Sequence, residues 1–124
     1  MRVLIIEEDP FTASVYESEL KQQNIETYVA NNGYDGIKIA RRRKIDLILM
    51  DLILSRVNGF EVLRSLKRSR IMKTKTTIIV ASALGNSKDI EEAMSLGALK
   101  YLNKDQYSPK QIIAEVINVM SLFL

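Results

Sequence analysis

The 124-residue chain contains no cysteine and no histidine. Without cysteine it has no disulfide, no thiolate nucleophile and no cysteine-ligated metal. Without histidine it lacks the side chain that most often serves as a general base and as a ligand for transition metals. A bound metal must therefore be held by oxygen atoms, which favours a hard cation such as Mg²⁺ or Mn²⁺.

Long apolar runs are also missing. No stretch approaches the roughly 20 residues that a membrane-spanning helix needs, and the first residues do not have the apolar core of a signal peptide. We therefore expect a cytoplasmic protein with no membrane contact. With 47% hydrophobic and 27% charged residues, residues 1–124 are expected to form one domain with a single core.

The net charge of +3 raises the question of nucleic-acid binding. The positive residues concentrate in two clusters, Arg41–Lys44 and the group Lys67, Arg68, Arg70, Lys73 and Lys75. Both clusters fall at the ends of predicted helices, where cations offset the negative end of the helix dipole. Because neither cluster has interleaved aromatic residues or a DNA-binding motif beside it, we expect no direct contact with nucleic acid.

Short β-branched runs alternate with segments of helical period, which is typical of a parallel sheet wound with helices. The predicted strands are 2–7, 26–30, 46–51, 77–82 and 99–103, and the predicted helices are 10–23, 33–43, 59–70, 88–96 and 109–124. Asp9-Pro10 and Ser108-Pro109 each fit an N-cap followed by proline at the first helical position. The predicted fold class is α/β, a doubly wound five-stranded parallel sheet with helices on both faces.

The ends of four predicted strands carry the reactive side chains. Glu7 and Glu8 end or follow the first strand, Asp51 ends the third, Ser82 ends the fourth and Lys104 follows the fifth. In a parallel sheet the carboxyl ends of the strands meet at one edge, where such folds bind their ligands. We therefore predict one site with three carboxylates, a hydroxyl and an ammonium group.

Three carboxylates in one place repel one another, at about 3 kcal/mol for a pair about 5 Å apart with an effective dielectric of ~20. Their clustering requires a cation, the ammonium of Lys104 or shifted pKa values. Mg²⁺ takes one or two carboxylates and keeps several waters, which leaves room for a phosphoryl oxygen. Asp51 could then attack a phosphoryl donor, with the metal, Lys104 and Ser82 stabilising the transferred oxygens.

Each of these residues also has a simpler interpretation by itself. An acid or a serine at a strand end often caps the next helix, as we expect for Asp9. A single lysine near a strand end is usually a surface residue. The functional interpretation depends on all of them falling on one edge of the sheet.

The chain resembles the response-regulator receiver domains of bacterial two-component signalling over essentially its whole length. Four stretches carry the resemblance: VLIIEEDP at 3–10, DLILMDLILSRVNGFEV at 46–62, IIVASA at 78–83 and GALKYLNK at 97–104. The resemblance implies the flavodoxin-like strand order 2-1-3-4-5. It also implies a phosphorylation-dependent signalling switch, not an enzyme, with Asp51 as the phosphoacceptor.

The resemblance implies a metal site as well. Glu7 and Glu8 would be the acidic pair for Mg²⁺ or Mn²⁺, with Asp51 and the backbone carbonyl of Ile53 as further ligands. The family usually has aspartate at the position of Glu8, which is one methylene longer. It usually has proline at the position of Ser55.

The resemblance implies roles for three further residues. Ser82 would be the hydroxyl that moves toward the phosphate, Lys104 the phosphate partner, and Tyr101 the aromatic residue whose rotamer reports phosphorylation. A sensor histidine kinase or a phosphotransfer protein would donate the phosphoryl group. An output domain or a target protein would respond through the face made by the fourth helix, the fifth strand and the fifth helix.

The predicted last helix carries two neighbouring apolar stripes. They consist of Ile112, Val116, Val119 and Phe123, and of Ile113, Ile117, Met120 and Leu124. So wide an apolar surface usually buries more than one face. Two explanations stay open: a homodimer or partner surface on the face that includes this helix, or a helix that packs unusually deeply or leads toward another domain.

Two other functions stay open. One is a receiver-like interaction module that is not phosphorylated, which Glu8, Ser55 and Asp105 motivate because they depart from the family pattern. The other is a phosphatase that works through an aspartyl phosphate, which would need a general acid where Ile53 stands and an insertion to cover the substrate. Because Ile53 and Leu84 are apolar and flank the predicted site, we also expect a long-lived phosphoryl group.

Overall fold

Five parallel strands form the sheet at the centre of the computed structural model, which describes residues 1–69 and 75–124. The strands are β1 (Arg2–Ile6), β2 (Glu26–Ala30), β3 (Leu47–Met50), β4 (Thr77–Ser82) and β5 (Lys100–Asn103). Their order across the sheet is β2-β1-β3-β4-β5, and every pairing is parallel. The predicted fold class and strand order are confirmed.

The helices in the described ranges are α1 (Pro10–Gln22), α2 (Gly33–Arg42), α3 (Gly59–Arg68), α4 (Ser87–Ser95) and α5 (Pro109–Phe123). The predicted elements have their ends within one or two residues of these bounds. The predicted end of the third helix at residue 70 lies outside the described residues, as do Arg70 and Lys73 of the second basic cluster. No helix in the described part of the chain has the length and apolarity to cross a membrane.

The sheet is covered on both faces because its strands carry apolar side chains on both. In β1, Val3 and Ile5 point into a core shared with α1 and α5, whereas Leu4 and Ile6 point into a core shared with α2, α3 and α4. All four side chains are fully buried. Uninterrupted apolar strands of this kind are what a parallel sheet between two helical layers requires.

Every helix in the described residues begins at a polar side chain that accepts a backbone N–H of the first turn. These N-caps are Asp9, Asn32, Asn58, Asn86 and Ser108. The predicted caps at Asp9 and Ser108 are confirmed, and Ser108 forms a reciprocal capping box with Gln111. Because each helix begins soon after a strand ends, the caps fix the loops at the carboxyl edge of the sheet.

The last helix packs deeply into the domain. Both of its apolar stripes contribute to the core with α1, through the buried side chains of Ile112, Ile113, Val116, Val119 and Met120. The large apolar side chains of this helix and its C-cap are exposed only at the end, at Leu122, Phe123 and Leu124. Deep packing therefore accounts for most of the wide apolar surface, and the homodimer interpretation stays a prediction.

Gly59 allows α3 to begin directly against the end of β3. A Cβ atom at this position would lie 2.3 Å from Cα of Leu52 and 2.8 Å from the backbone oxygen of Asp51. The Gly59 N–H also donates to the Leu52 carbonyl at 2.9 Å. Because the obstacles are backbone atoms, a methyl group here would displace the segment that carries Asp51.

We predict that Gly59→Ala lowers the free energy of unfolding by about 2 kcal/mol, since overpacking of this kind typically costs about 1–3 kcal/mol. Urea denaturation followed by circular dichroism would measure the change. Gly85→Ala is the control, because its added methyl would meet only the side-chain amide of Asn103, which can rotate away. Equal losses for the two variants would contradict the argument from backbone contact.

Candidate functional site

Two carboxylates leave the sheet side by side at its carboxyl edge. Ile6 of β1 is in register with Met50 of β3, so Glu7 and Asp51 are the next residues on neighbouring strands. The Asp51 N–H donates to the Ile6 carbonyl at 3.0 Å, and the Glu7 N–H donates to the Ala30 carbonyl at 3.0 Å. Backbone pairing therefore continues through both acidic residues and fixes where their side chains begin.

Lys104 joins the two carboxylates. Its Nζ atom lies 2.5 Å from Glu7 Oε1 and 2.6 Å from Asp51 Oδ2. Glu7 is 4% exposed and Asp51 is 6% exposed, so each carboxylate depends on this ammonium group for much of its compensation. Burial by itself would lower the pKa of Lys104, but the hydrogen bonds to Asp51 and Glu7 outweigh burial and raise it.

The remaining oxygens of these carboxylates accept backbone N–H groups. Asp51 Oδ1 accepts from Leu52 at 2.7 Å and from Ile53 at 3.1 Å. Glu7 Oε2 accepts from the N–H of Asp9 at 3.1 Å. Each carboxylate therefore has one oxygen hydrogen-bonded to Lys104 and the other hydrogen-bonded to backbone N–H groups of the loop that follows its strand.

The backbone of Leu84 connects Ser82 to Tyr101. Ser82 is fully buried, and its Oγ accepts the Leu84 N–H at 3.2 Å. The Tyr101 hydroxyl donates to the Leu84 carbonyl, and burial raises the pKa of that hydroxyl. The Lys104 N–H donates to the Ser82 carbonyl at 2.9 Å. Hydrogen bonds therefore connect Ser82 with Lys104 directly and with Tyr101 through the backbone of Leu84.

Glu8 makes different contacts from Glu7. Its Oε2 accepts both the backbone N–H of Ser55 and the Ser55 hydroxyl, the latter at 2.7 Å. In residues 1–69 and 75–124, no three acidic side chains are grouped closely enough to enclose a metal ion. The structure thus brings together Glu7, Asp51 and Lys104, whereas the carboxylate of Glu8 contacts Ser55 in the loop after β3.

The donor atoms at this edge are carboxylate oxygens, which are the ligands that a hard cation prefers. Glu7 and Asp51 supply adjacent carboxylate oxygens, and Mg²⁺ usually takes only one or two carboxylates. Lys104 engages one oxygen of each, so these two residues would hold a cation beside the ammonium group. The roles of Glu8 and the Ile53 carbonyl as metal ligands stay predictions.

Two residues near the site were not identified from the sequence as contributors to it. Ser55 was noted only as a departure from the family pattern, and its contact with Glu8 joins two such departures.

Tyr16 of α1 is 1% exposed, and its hydroxyl has no hydrogen-bond partner among the described residues. Burial raises the pKa of Tyr16, and the charges of Glu7 and Asp51 add to the effect. Helical spacing indicates a core position for Tyr16 but gives no sign of the nearby carboxylates.

Comparison with known proteins identifies relatives whose similarity extends over most of the chain. The model of the response regulator receiver domain family matches residues 3–117. The probable transcriptional regulator ycf29 of Pyropia yezoensis is 28% identical over 120 residues, which are 97% of this chain and 53% of the relative. The cell cycle response regulator CtrA of Brucella ovis is 34% identical over 116 residues, or 94% of this chain and 48% of CtrA. The chain thus spans about half the length of these curated relatives.

A solved structure shows the same fold. The receiver domain of the sensor histidine kinase PA1611 from Pseudomonas aeruginosa PAO1 superposes with a TM-score of 0.82 and 23% identity. The superposition covers 98% of this chain and 95% of that domain. That structure has a magnesium ion coordinated in its active-site cleft.

We predict that Lys104→Met lowers the free energy of unfolding by about 2 kcal/mol at pH 8. This is less than the cost of breaking a fully buried ion pair, because the lysine is partly exposed. The folded pKa of Lys104 is raised above its ordinary value of 10.5. Its stabilisation is therefore fully present below about pH 10.5 and is lost only as the pH rises through that raised value.

Urea denaturation of the wild type and the variant between pH 7 and 11 would test this difference. Lys110→Met is the matched control, since Lys110 is 77% exposed and its Nζ lies 3.8 Å from Glu19. We expect the control to change stability by less than about 0.5 kcal/mol. A Lys104 contribution that disappears already below pH 9 would contradict the raised pKa.

Proposed function

Because the chain belongs to the response regulator receiver domain family, we propose that it is a signalling switch that accepts a phosphoryl group on Asp51. The observation that supports this most directly is Lys104, whose ammonium contacts both Asp51 and Glu7 at the carboxyl edge of the sheet. In this proposal, residues 1–124 form the receiver domain and act in the cytoplasm.

The transfer would need little rearrangement of Asp51. One of its carboxylate oxygens forms a bond to phosphorus while the bond from phosphorus to the donor breaks, with a histidine kinase or a phosphotransfer protein as donor. Backbone N–H groups of Leu52 and Ile53 already orient the carboxylate through Oδ1. Lys104, which lies within hydrogen-bond distance of Oδ2, can follow the negative charge onto the phosphoryl oxygens.

A divalent cation would belong to this site in the proposal. Glu7, Asp51, Glu8 and the Ile53 carbonyl would hold Mg²⁺ or Mn²⁺, and the cation would neutralise charge on the phosphoryl oxygens. The oxygen-only donor set supports this choice. The magnesium ion in the PA1611 receiver domain, which shares the fold, gives further support.

Ser82, Leu84 and Tyr101 would transmit the change. A phosphoryl group adds about −1.5 to −2 charge at pH 7, which would attract the Ser82 hydroxyl and take it from the Leu84 N–H. The Tyr101 hydroxyl bonds to the carbonyl of the same Leu84. Movement of this segment would alter the face formed by α4, β5 and α5, where an output domain, a target protein or a second copy would bind.

A regulatory role fits this chain better than turnover of a substrate. The family to which it belongs is regulatory, and a phosphatase working through an aspartyl phosphate would need a general acid close to Asp51. The residue two positions after Asp51 is Ile53, which cannot transfer a proton.

We predict that incubation with Mg²⁺ and acetyl phosphate adds one phosphoryl group to the wild type and none to Asp51→Asn. Intact-mass spectrometry would measure the adduct, which EDTA should prevent. Asp105→Asn is the control, because Asp105 is an exposed carboxylate next to Lys104 in sequence and should leave the adduct unchanged.

An adduct on Asp51→Asn would show that another residue accepts the group. A folded wild type that takes no phosphoryl group and binds no cation would instead favour an interaction module that is not phosphorylated. The contact of Glu8 with Ser55 is the observation that keeps this second function open.

We further predict a long-lived phosphoryl group, because the side chains flanking the site cannot hydrogen-bond an attacking water. Ile53 is 53% exposed, and Leu84 is partly exposed. Ile53→Asn, which supplies polar atoms there, should shorten the lifetime several-fold. The decay of the adduct mass after removal of donor would measure it, with Leu99→Asn as the control on an exposed apolar residue outside the site. Rapid loss from the wild type would contradict this expectation.

A further inference from the structure

We propose that Ser55 and a divalent cation compete for the carboxylate of Glu8, so that cation binding opens the contact between Glu8 and the loop after β3. We call the contact of Glu8 with Ser55 the latch. The proposal rests on the proposed function, because it concerns the cation of the same site.

The latch consists of two hydrogen bonds that converge on one oxygen. Glu8 Oε2 accepts the backbone N–H and the side-chain hydroxyl of Ser55. An ionised acceptor makes such bonds roughly twice as strong as those between neutral groups. Glu8 follows directly after Glu7, and Ser55 lies in the loop between β3 and α3, so the latch joins the ends of two neighbouring strands.

Two features of this sequence are needed together. Serine has the backbone N–H that a proline at position 55 would lack, and it adds a hydroxyl donor. A glutamate side chain is one methylene longer than an aspartate side chain, which extends the reach of Glu8 toward the loop. Each of the two residue types therefore supplies one half of the contact.

The latch places Glu8 apart from the other two carboxylates. Glu7 and Asp51 meet at Lys104, yet no three acidic side chains gather around one point within the described ranges. A cation that used Glu8 as a ligand would have to draw this carboxylate away from the Ser55 donors. The free energy that stabilises the latch would oppose cation binding. The affinity for the cation would therefore be lower than the same oxygen ligands would give without the latch.

Opening the latch would change the loop as well as the metal site. The N–H groups of Leu52 and Ile53 donate to Asp51 Oδ1, and the Gly59 N–H donates to the Leu52 carbonyl, independently of the latch. Between these anchors, Ser55 and Arg56 are exposed, and Arg56 has a φ of 66° in the left-handed region. The latch is the side-chain contact that joins this exposed segment to the end of β1.

Isothermal titration with Mn²⁺ and with Mg²⁺ would test the competition. We expect Ser55→Pro, which removes both donors, to bind either cation at least about tenfold more tightly than the wild type, which corresponds to about 1.4 kcal/mol. In a Glu8→Gln background the same proline substitution should have no effect, because the charged acceptor is gone. Ser87→Pro, at the first position of α4, is the matched control for the introduction of proline.

Weaker binding by Ser55→Pro would overturn the proposal, because Ser55 would then orient Glu8 for the cation. Unchanged binding would also overturn it. Thermal unfolding in EDTA would verify that all four variants are folded.

The amide proton resonance of Ser55 gives a second readout that needs no phosphoryl transfer. In the wild type it should lie far downfield and move upfield on addition of Mg²⁺ and on Glu8→Gln. A resonance that neither change affects would overturn the latch. If the latch behaves as expected but Asp51 takes no phosphoryl group, the proposed function fails while this inference stands.

Discussion

The ammonium group of Lys104 is the constraint on which the site depends. Two carboxylates that are almost entirely buried, Glu7 and Asp51, are adjacent because their strands are in register, and the backbone of neither residue can shift without breaking strand pairing. Burial makes an uncompensated charge there very costly. One lysine at the end of β5 contacts both, so three strands must keep their relative positions for the site to be stable.

The register that creates this constraint follows from the packing of the two cores. Alternate residues of β1 enter opposite helical layers, so a shift of one residue would move each apolar side chain into the wrong layer. The capped helix starts then hold the loops at the same edge. Gly59 shows how little space remains, because α3 begins within contact of the backbone at Asp51 and Leu52.

The sequence was sufficient to predict the elements and the meeting of Glu7, Asp51 and Lys104, because apolar periodicity and strand ends depend on local pattern. The strand order, by contrast, was predicted only through the resemblance to the receiver family. The sequence did not predict the direction of the Glu8 side chain. That direction depends on two donors of Ser55, a residue 47 positions away whose backbone N–H is accessible only once the loop has folded. Nor did the sequence predict that the Tyr16 hydroxyl would have no hydrogen-bond partner among the described residues, since helical spacing indicates burial but not the neighbours of a single atom.

In the proposed function, the charge balance at this edge favours a cation that binds and dissociates over one that stays permanently bound. Lys104 already compensates Asp51 and Glu7, and Ser55 already provides two donors to Glu8. A cation must therefore replace existing interactions of its own ligands, and it gains most when a phosphoryl group brings further negative charge to Asp51. In the proposed function, phosphorylation would favour binding of the cation because their charges are opposite, and binding of the cation would favour the phosphorylated form equally, because coupling between two sites is reciprocal.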